Sequence, residues 1–165
     1  MHECFIAVPE LVSKMRFTPE SALQVGTQVH TAPEAFGKVM SAIKPRMAVA
    51  YHFFKDFDTT SGVYERIRST YDGPLSLAED YMVWNVTEDD IKVREVFVNE
   101  NAWPPAAVYE VPAFDRSKAL NPSDFLQSNA YDVTDVDQVT YDRINQRYGT
   151  NIPMRMKLYL ERLSR

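Results

Sequence analysis

Met47-Ala48-Val49-Ala50-Tyr51-His52-Phe53-Phe54 is a short, almost wholly apolar run, and the reading of the fold turns on it. Such a run lacks the polar alternation of a half-exposed strand and suits one buried on both faces of a layered α/β sheet. The sequence before it has helical period. Phe36, Val39, Met40 and Ile43 fall on one face, Pro33 occupies the first turn, and Lys44-Pro45 ends the segment. Thr31 and Glu34 have capping-box spacing at its start. After the run, Ser61 to Tyr71 predicts a second helix with Val63, Tyr64, Ile67 and Tyr71 on its inner side, stopped by Asp72-Gly73-Pro74.

Further out the signals thin. Tyr81–Val86 and Ile91–Val98 are strand-like and joined by Thr87-Glu88-Asp89-Asp90, which predicts a hairpin. His2 to Val8 reads as a strand end or the loop just after one, and Pro9 to Val29 has no clean period. Within it, Thr18-Pro19-Glu20 has the chemistry of a short helix start. From Glu100 the character changes: Trp103-Pro104-Pro105 cannot form a central strand, and Asn121-Pro122-Ser123 is a turn. A helix over Val136–Tyr148, stopped by Gly149, and a short amphipathic segment over Met156–Leu163 follow. The expected organisation is a domain over residues 1–100 and an irregular, helical C-terminal extension over 101–165 that packs back on it or serves as a partner-binding arm.

Composition narrows the function classes. The chain has 165 residues, enough for one core, with 45% hydrophobic and 25% charged residues, an ordinary globular balance. Its net charge of −5 argues against a nucleic-acid partner, which needs a basic footprint. The longest apolar stretch is too short to cross a bilayer, and the N-terminus has no secretory pattern, so no membrane partner is expected. Cys4 is the only cysteine, which excludes an internal disulfide and fits a reducing cytoplasm.

Chemistry rests on three histidines, His2, His30 and His52. A lone histidine is more often structural than catalytic, but these fall at telling places. His2 opens a His-Glu pair with Glu3, His30 directly precedes the first marked helix, and His52 lies near the end of the apolar strand. Strand ends feeding loops are where layered α/β folds put active sites, and imidazole serves as metal ligand or as general acid or base at neutral pH. The chain has no HxH, HExxH or CxxC spacing, no glycine-rich phosphate loop and no serine nucleophile elbow. Cys4 reads as a buried, inert thiol.

The order of these motifs resembles the C-terminal half of metallo-β-lactamase-fold hydrolases, with the ribonuclease Z-like branch as the nearest match. His2-Glu3, His30-Thr31 opening a helix, and Val49-Ala50-Tyr51-His52-Phe53 carry the resemblance, which covers about residues 1–98. It implies half of an αββα sandwich closed by the 81–98 hairpin. It also implies a two-zinc site in the complete fold, with His52 as the last metal ligand. His30 would be the catalytic histidine that contacts the scissile group, with His2 and Glu3 in support behind the ligands. The family's HxHxDH signature is absent from the chain, as is an aspartate before His2. His52 is followed by Phe53-Phe54-Lys55, where ribonuclease Z has Ser-x-Arg-Tyr, which argues against tRNA as the substrate.

The expected function is therefore part of a zinc-dependent hydrolase that cleaves an ester, lactone or phosphodiester with metal-activated water. Alone the chain is expected to be inactive, since one imidazole cannot hold a catalytic zinc. The alternatives are a non-catalytic α+β interaction module, or one chain of a split hydrolase whose partner supplies the N-terminal half. An exposed sheet face also leaves room for self-association.

Overall fold

A computed structural model of the chain describes residues 1–97, 124–129 and 131–154. The chain starts with strand β1 (His2–Glu3), helices α1 (Val8–Ser13) and α2 (Pro19–Leu23), and a π-helix over Gln24–Val29. Helix α3 (Pro33–Ile43), strand β2 (Ala48–Tyr51), helix α4 (Thr60–Arg68) and strand β3 (Leu75–Leu77) follow. Strands β4 (Met82–Val86) and β5 (Ile91–Glu95) and helices α5 (Asp124–Ser128) and α6 (Thr134–Tyr148) complete the described elements. The fold mixes helices and strands, with parallel and antiparallel pairing segregated. The described residues fall into two compact units, those of Met1–Glu79 with Tyr131–Arg165 and those of Asp80–Ala130.

In the first unit β2 is the central strand, parallel to β1 on one side and to β3 on the other. His2 pairs with Ala50 and Ala48 with Leu75. Ala48, Val49 and Ala50 are all buried, so successive residues of the strand are covered on both faces, as their apolar run predicts. Tyr51 is exposed, which marks where the covered part of the strand ends.

Helices α3 and α4 pack closely. The Thr70 hydroxyl donates to the Glu34 carbonyl at 2.8 Å, and Arg66 Nη1 donates to Glu34 Oε1 at 2.9 Å. Gly37 permits this approach: a Cβ there would lie 2.7 Å from the Ile67 carbonyl oxygen and would overlap Thr70 Oγ1. The capping box expected from Thr31 and Glu34 does not form. The N-cap of α3 is Ala32, whose side chain cannot cap, and the Glu34 carboxylate is committed to Arg66 on the neighbouring helix. On α4, Val63 and Ile67 are buried and Tyr71 just beyond it is too, but Tyr64 is 46% exposed, with the Arg68 guanidinium over its ring.

The core of this unit includes Ile6, Leu11, Leu23, Phe36, Ile67 and Ile144. Ile144 and Tyr141 come from α6, so residues well past 100 help build the same core. Gly149 ends α6 at φ 63°, the left-handed conformation that favours glycine. The Asn145 side chain then ties down the next turn, accepting from Ile152 N at 2.8 Å and donating to its carbonyl at 3.0 Å.

Thr18 caps α2, accepting from Ser21 N at 3.2 Å. Helix α1, the π-helix and the three residues of β3 are features the sequence pattern does not single out.

In the second unit β4 and β5 form the expected antiparallel hairpin, with Met82 opposite Glu95 and Val86 opposite Ile91. Thr87 N donates to the Asp90 carbonyl at 2.9 Å and Asp90 N to Thr87 Oγ1 at 3.0 Å, closing the turn. The expected strand end at Val98, the Trp103-Pro104-Pro105 and Asn121-Pro122-Ser123 segments, the 156–163 segment and the boundary at residue 100 lie outside the described residues. No described helix is long and apolar enough to cross a membrane.

Candidate functional site

The C-terminal ends of β1 and β2 lie side by side, since parallel pairing sets Glu3 opposite Tyr51. Glu3 ends β1 and His52 follows the last residue of β2, so the register alone brings both to one edge of the sheet. His30 reaches that edge from a third element. The π-helix ends with His30 N donating to the Val25 carbonyl at 2.9 Å, and Phe5 N donates to the Thr31 carbonyl at 2.9 Å. These bonds pin the segment that carries His30 against the exit of β1.

The Glu3 carboxylate is the hub. Oε1 lies 2.9 Å from His30 Nδ1, and Oε2 accepts from Thr31 N at 3.0 Å. A carboxylate only accepts, so Nδ1 of His30 carries the proton and Nε2 is the ring atom left for a metal or a substrate. Glu3 thus does two jobs. It fixes the tautomer of His30, and it satisfies an amide just before α3 that the absent capping box leaves without a side-chain acceptor.

Four aromatic rings meet here. Phe5 stacks on His30 with centroids 4.1 Å apart and planes inclined by 14°. The His30 and His52 rings are 5.2 Å apart, and Phe5 lies 6.0 Å from both His52 and Phe54. His52 has φ 73°, a left-handed conformation that a residue with a side chain adopts at a cost of roughly 1–2 kcal/mol. Strain of this kind persists where surrounding structure enforces it, and it clusters at functional positions.

His2 sits differently. Its Nδ1 lies 2.6 Å from the Glu3 carbonyl oxygen, and its ring meets Phe36 of α3 edge-on at 6.0 Å. Of the residues singled out in the sequence, Glu3, His30 and His52 are gathered at the sheet edge, while His2 is spent on strand and helix contacts. Phe5 belongs to the cluster although nothing in its sequence neighbourhood marks it. Among the described residues no group of three His, Cys, Asp or Glu side chains is arranged to hold a metal ion. The donor chemistry of His52 suits zinc as one imidazole ligand of a larger set.

Cys4, between Glu3 and Phe5, is fully buried. Burial, and then the charges of Glu3 and Glu34, push its thiol far above the ordinary thiol range, so it supplies no thiolate at neutral pH. Burial also raises the Tyr71 hydroxyl. A raised acid contributes stability that is fully present below its unfolded value and is lost as pH rises above it. Unfolding free energy should therefore begin to fall above the ordinary thiol value of 9.0, by up to about 1.4 kcal/mol per pH unit for this single proton. Urea unfolding at pH 8, 9 and 10 checks this, with Cys4→Ala expected to flatten the decline. An unchanged slope in that variant would show that the thiol is not the group responsible.

No family model matches this chain, and no curated protein matches it either.

Proposed function

We propose that this chain contributes one wall of a zinc-dependent hydrolase site of the metallo-β-lactamase type, acting on an ester, lactone or phosphodiester. The observation that carries the reading is the convergence of Glu3, His30 and His52 at the C-terminal edge of two parallel strands. In this reading the helix–strand–helix unit and the hairpin belong to an αββα sandwich. The protein works in the cytoplasm, on a small-molecule or phosphodiester substrate and not on nucleic acid at large. Zinc bound there supplies Lewis acidity and a hydroxide nucleophile near neutral pH.

The chain's own residues have separate roles. His52 donates one ligand nitrogen. His30, its tautomer fixed by Glu3, presents an unprotonated Nε2 to the reacting centre, accepts a proton there as general base and, once protonated, stabilises developing charge. Phe5 holds the His30 ring by stacking and keeps water from that face. A catalytic zinc takes about three protein ligands, and the 165 residues contain no HxHxDH, so the remaining ligands come from a polypeptide segment outside them. That segment is either joined to this one or supplied by a partner chain.

Zinc titration of the chain, followed by NMR of the histidine rings, tests the reading. Weak binding that shifts the His52 signals is expected, and His52→Ala and His52→Gly should each abolish it. His52→Gly should also hold or raise the unfolding midpoint, because glycine relieves the left-handed strain at that position. Supplying an HxHxDH-bearing segment should then give hydrolysis of bis(4-nitrophenyl) phosphate. A His52 ring indifferent to zinc would sink the hydrolase and leave a non-catalytic α+β interaction module.

A further inference from the structure

We infer that Phe54 sets the specificity of this site, favouring substrates whose scissile bond carries a planar aromatic group. The inference rests on the hydrolase reading and deepens it. Single exposed apolar side chains are ordinary on protein surfaces, so exposure of Phe54 at 54% decides nothing alone. What distinguishes it is continuity with the chemistry. Phe54 follows His52 by two residues, and its ring meets Phe5 at 6.0 Å with planes inclined by 62°. Phe5 in turn stacks on His30 and lies 6.0 Å from His52.

The backbone that carries Phe54 is also held. The buried Thr59 hydroxyl donates to the Phe54 carbonyl, and Asp56 Oδ1 accepts from Asp58 N at 3.1 Å and from Thr59 N at 3.0 Å. An exposed ring on a pinned turn is a preorganised surface, which loses little conformational freedom when a ligand covers it. Aromatic rings attract one another in offset or edge-on geometry beyond what area burial provides. A planar group bonded to the reacting centre can lie against Phe54 while that centre sits at the imidazoles.

Phenyl phosphate and cyclohexyl phosphate carry the same charged group, but only the first has a planar ring. Titrated into the chain and followed by NMR of the histidine and phenylalanine rings, phenyl phosphate should bind about 2–10-fold more tightly. Phe54→Ala should erase the difference and Phe54→Tyr should retain it. Equal affinities in the unaltered chain, absence of binding by both, or a preference that survives Phe54→Ala would overturn the inference. Zinc titration of the same samples separates the two readings. An aryl preference without a zinc response at His52 removes the hydrolase and keeps aromatic recognition at Phe54. A zinc response without an aryl preference removes this inference alone.

Discussion

Replacing Phe36 by alanine is expected to lower the unfolding free energy by about 3–5 kcal/mol, the usual cost of emptying a fully buried phenylalanine site. Phe36 is completely inaccessible and belongs to the main core with Met40, Ile67 and Ile144. Its loss removes the transfer free energy of the ring and leaves a cavity where α3 faces β1. The edge-on contact with His2 goes with it. A domain stable by roughly 5–15 kcal/mol cannot absorb this easily, so the variant's unfolding midpoint is expected well below that of the unaltered chain. Urea unfolding of both proteins measures the change, with the slope against urea held constant. Phe36→Leu keeps most of the volume and should cost under about 1.5 kcal/mol. Equal midpoints for the alanine variant and the unaltered chain would show that the α3 face does not pack as described.

The parts of this fold that are legible in sequence are those where one pattern acts alone. Met47 to Phe54 reads as a doubly covered strand because every residue from Ala48 to Ala50 must avoid water, and burial confirms it there. The α3 face reads because Phe36 and Met40 repeat at helical spacing, and α6 because Gly149 stops it. Segments governed by tertiary partners do not read. Helix α1 spans six residues and β3 three, too short for a period to emerge. The π-helix replaces the ordinary helical spacing with a wider one, so Pro9 to Val29 looks aperiodic. Glu34 reads as a capping-box residue for the same reason: that spacing is local, and its partner Arg66 is 32 residues away.

The site divides in the same manner. His30 and His52 stand out because each borders a recognisable element, and Glu3 because it adjoins a histidine. Their meeting cannot be read from spacing: the Glu3–His30 contact spans 27 residues, and only the register of β1 against β2 sets Glu3 beside His52. Nothing in the sequence marks Phe5 or Phe54 for the site, although Phe54 closes the apolar run. A phenylalanine beside an active-site ring and one in a core look alike until the rings are placed.

The contact between Glu3 and His30 supplies the most discriminating mutation at the site. Glu3→Ala removes the acceptor for His30 Nδ1 and for Thr31 N together. Charge-assisted hydrogen bonds of this kind contribute roughly 1.5–3 kcal/mol, and the side chains are still about a quarter exposed, so a loss of about 2–3 kcal/mol is expected for the pair. A stability change alone would be compatible with a purely structural carboxylate. The tautomer of His30 would not. Nitrogen NMR of the ring should report a proton on Nδ1 in the unaltered chain and a shift of that proton toward Nε2 in Glu3→Ala. Glu3→Gln retains one acceptor oxygen without the charge and should fall between them. In an assembly made active by the missing ligands, the same variants should lower kcat by about 10–100-fold, the range typical of groups that orient a catalytic or metal-bound imidazole. KM should change less, because Glu3 acts through His30 and makes no contact with substrate in this reading. Were the His30 tautomer the same with and without the carboxylate, Glu3 would be a helix-entry acceptor only, and His30 would lose the feature that sets it apart from a surface histidine.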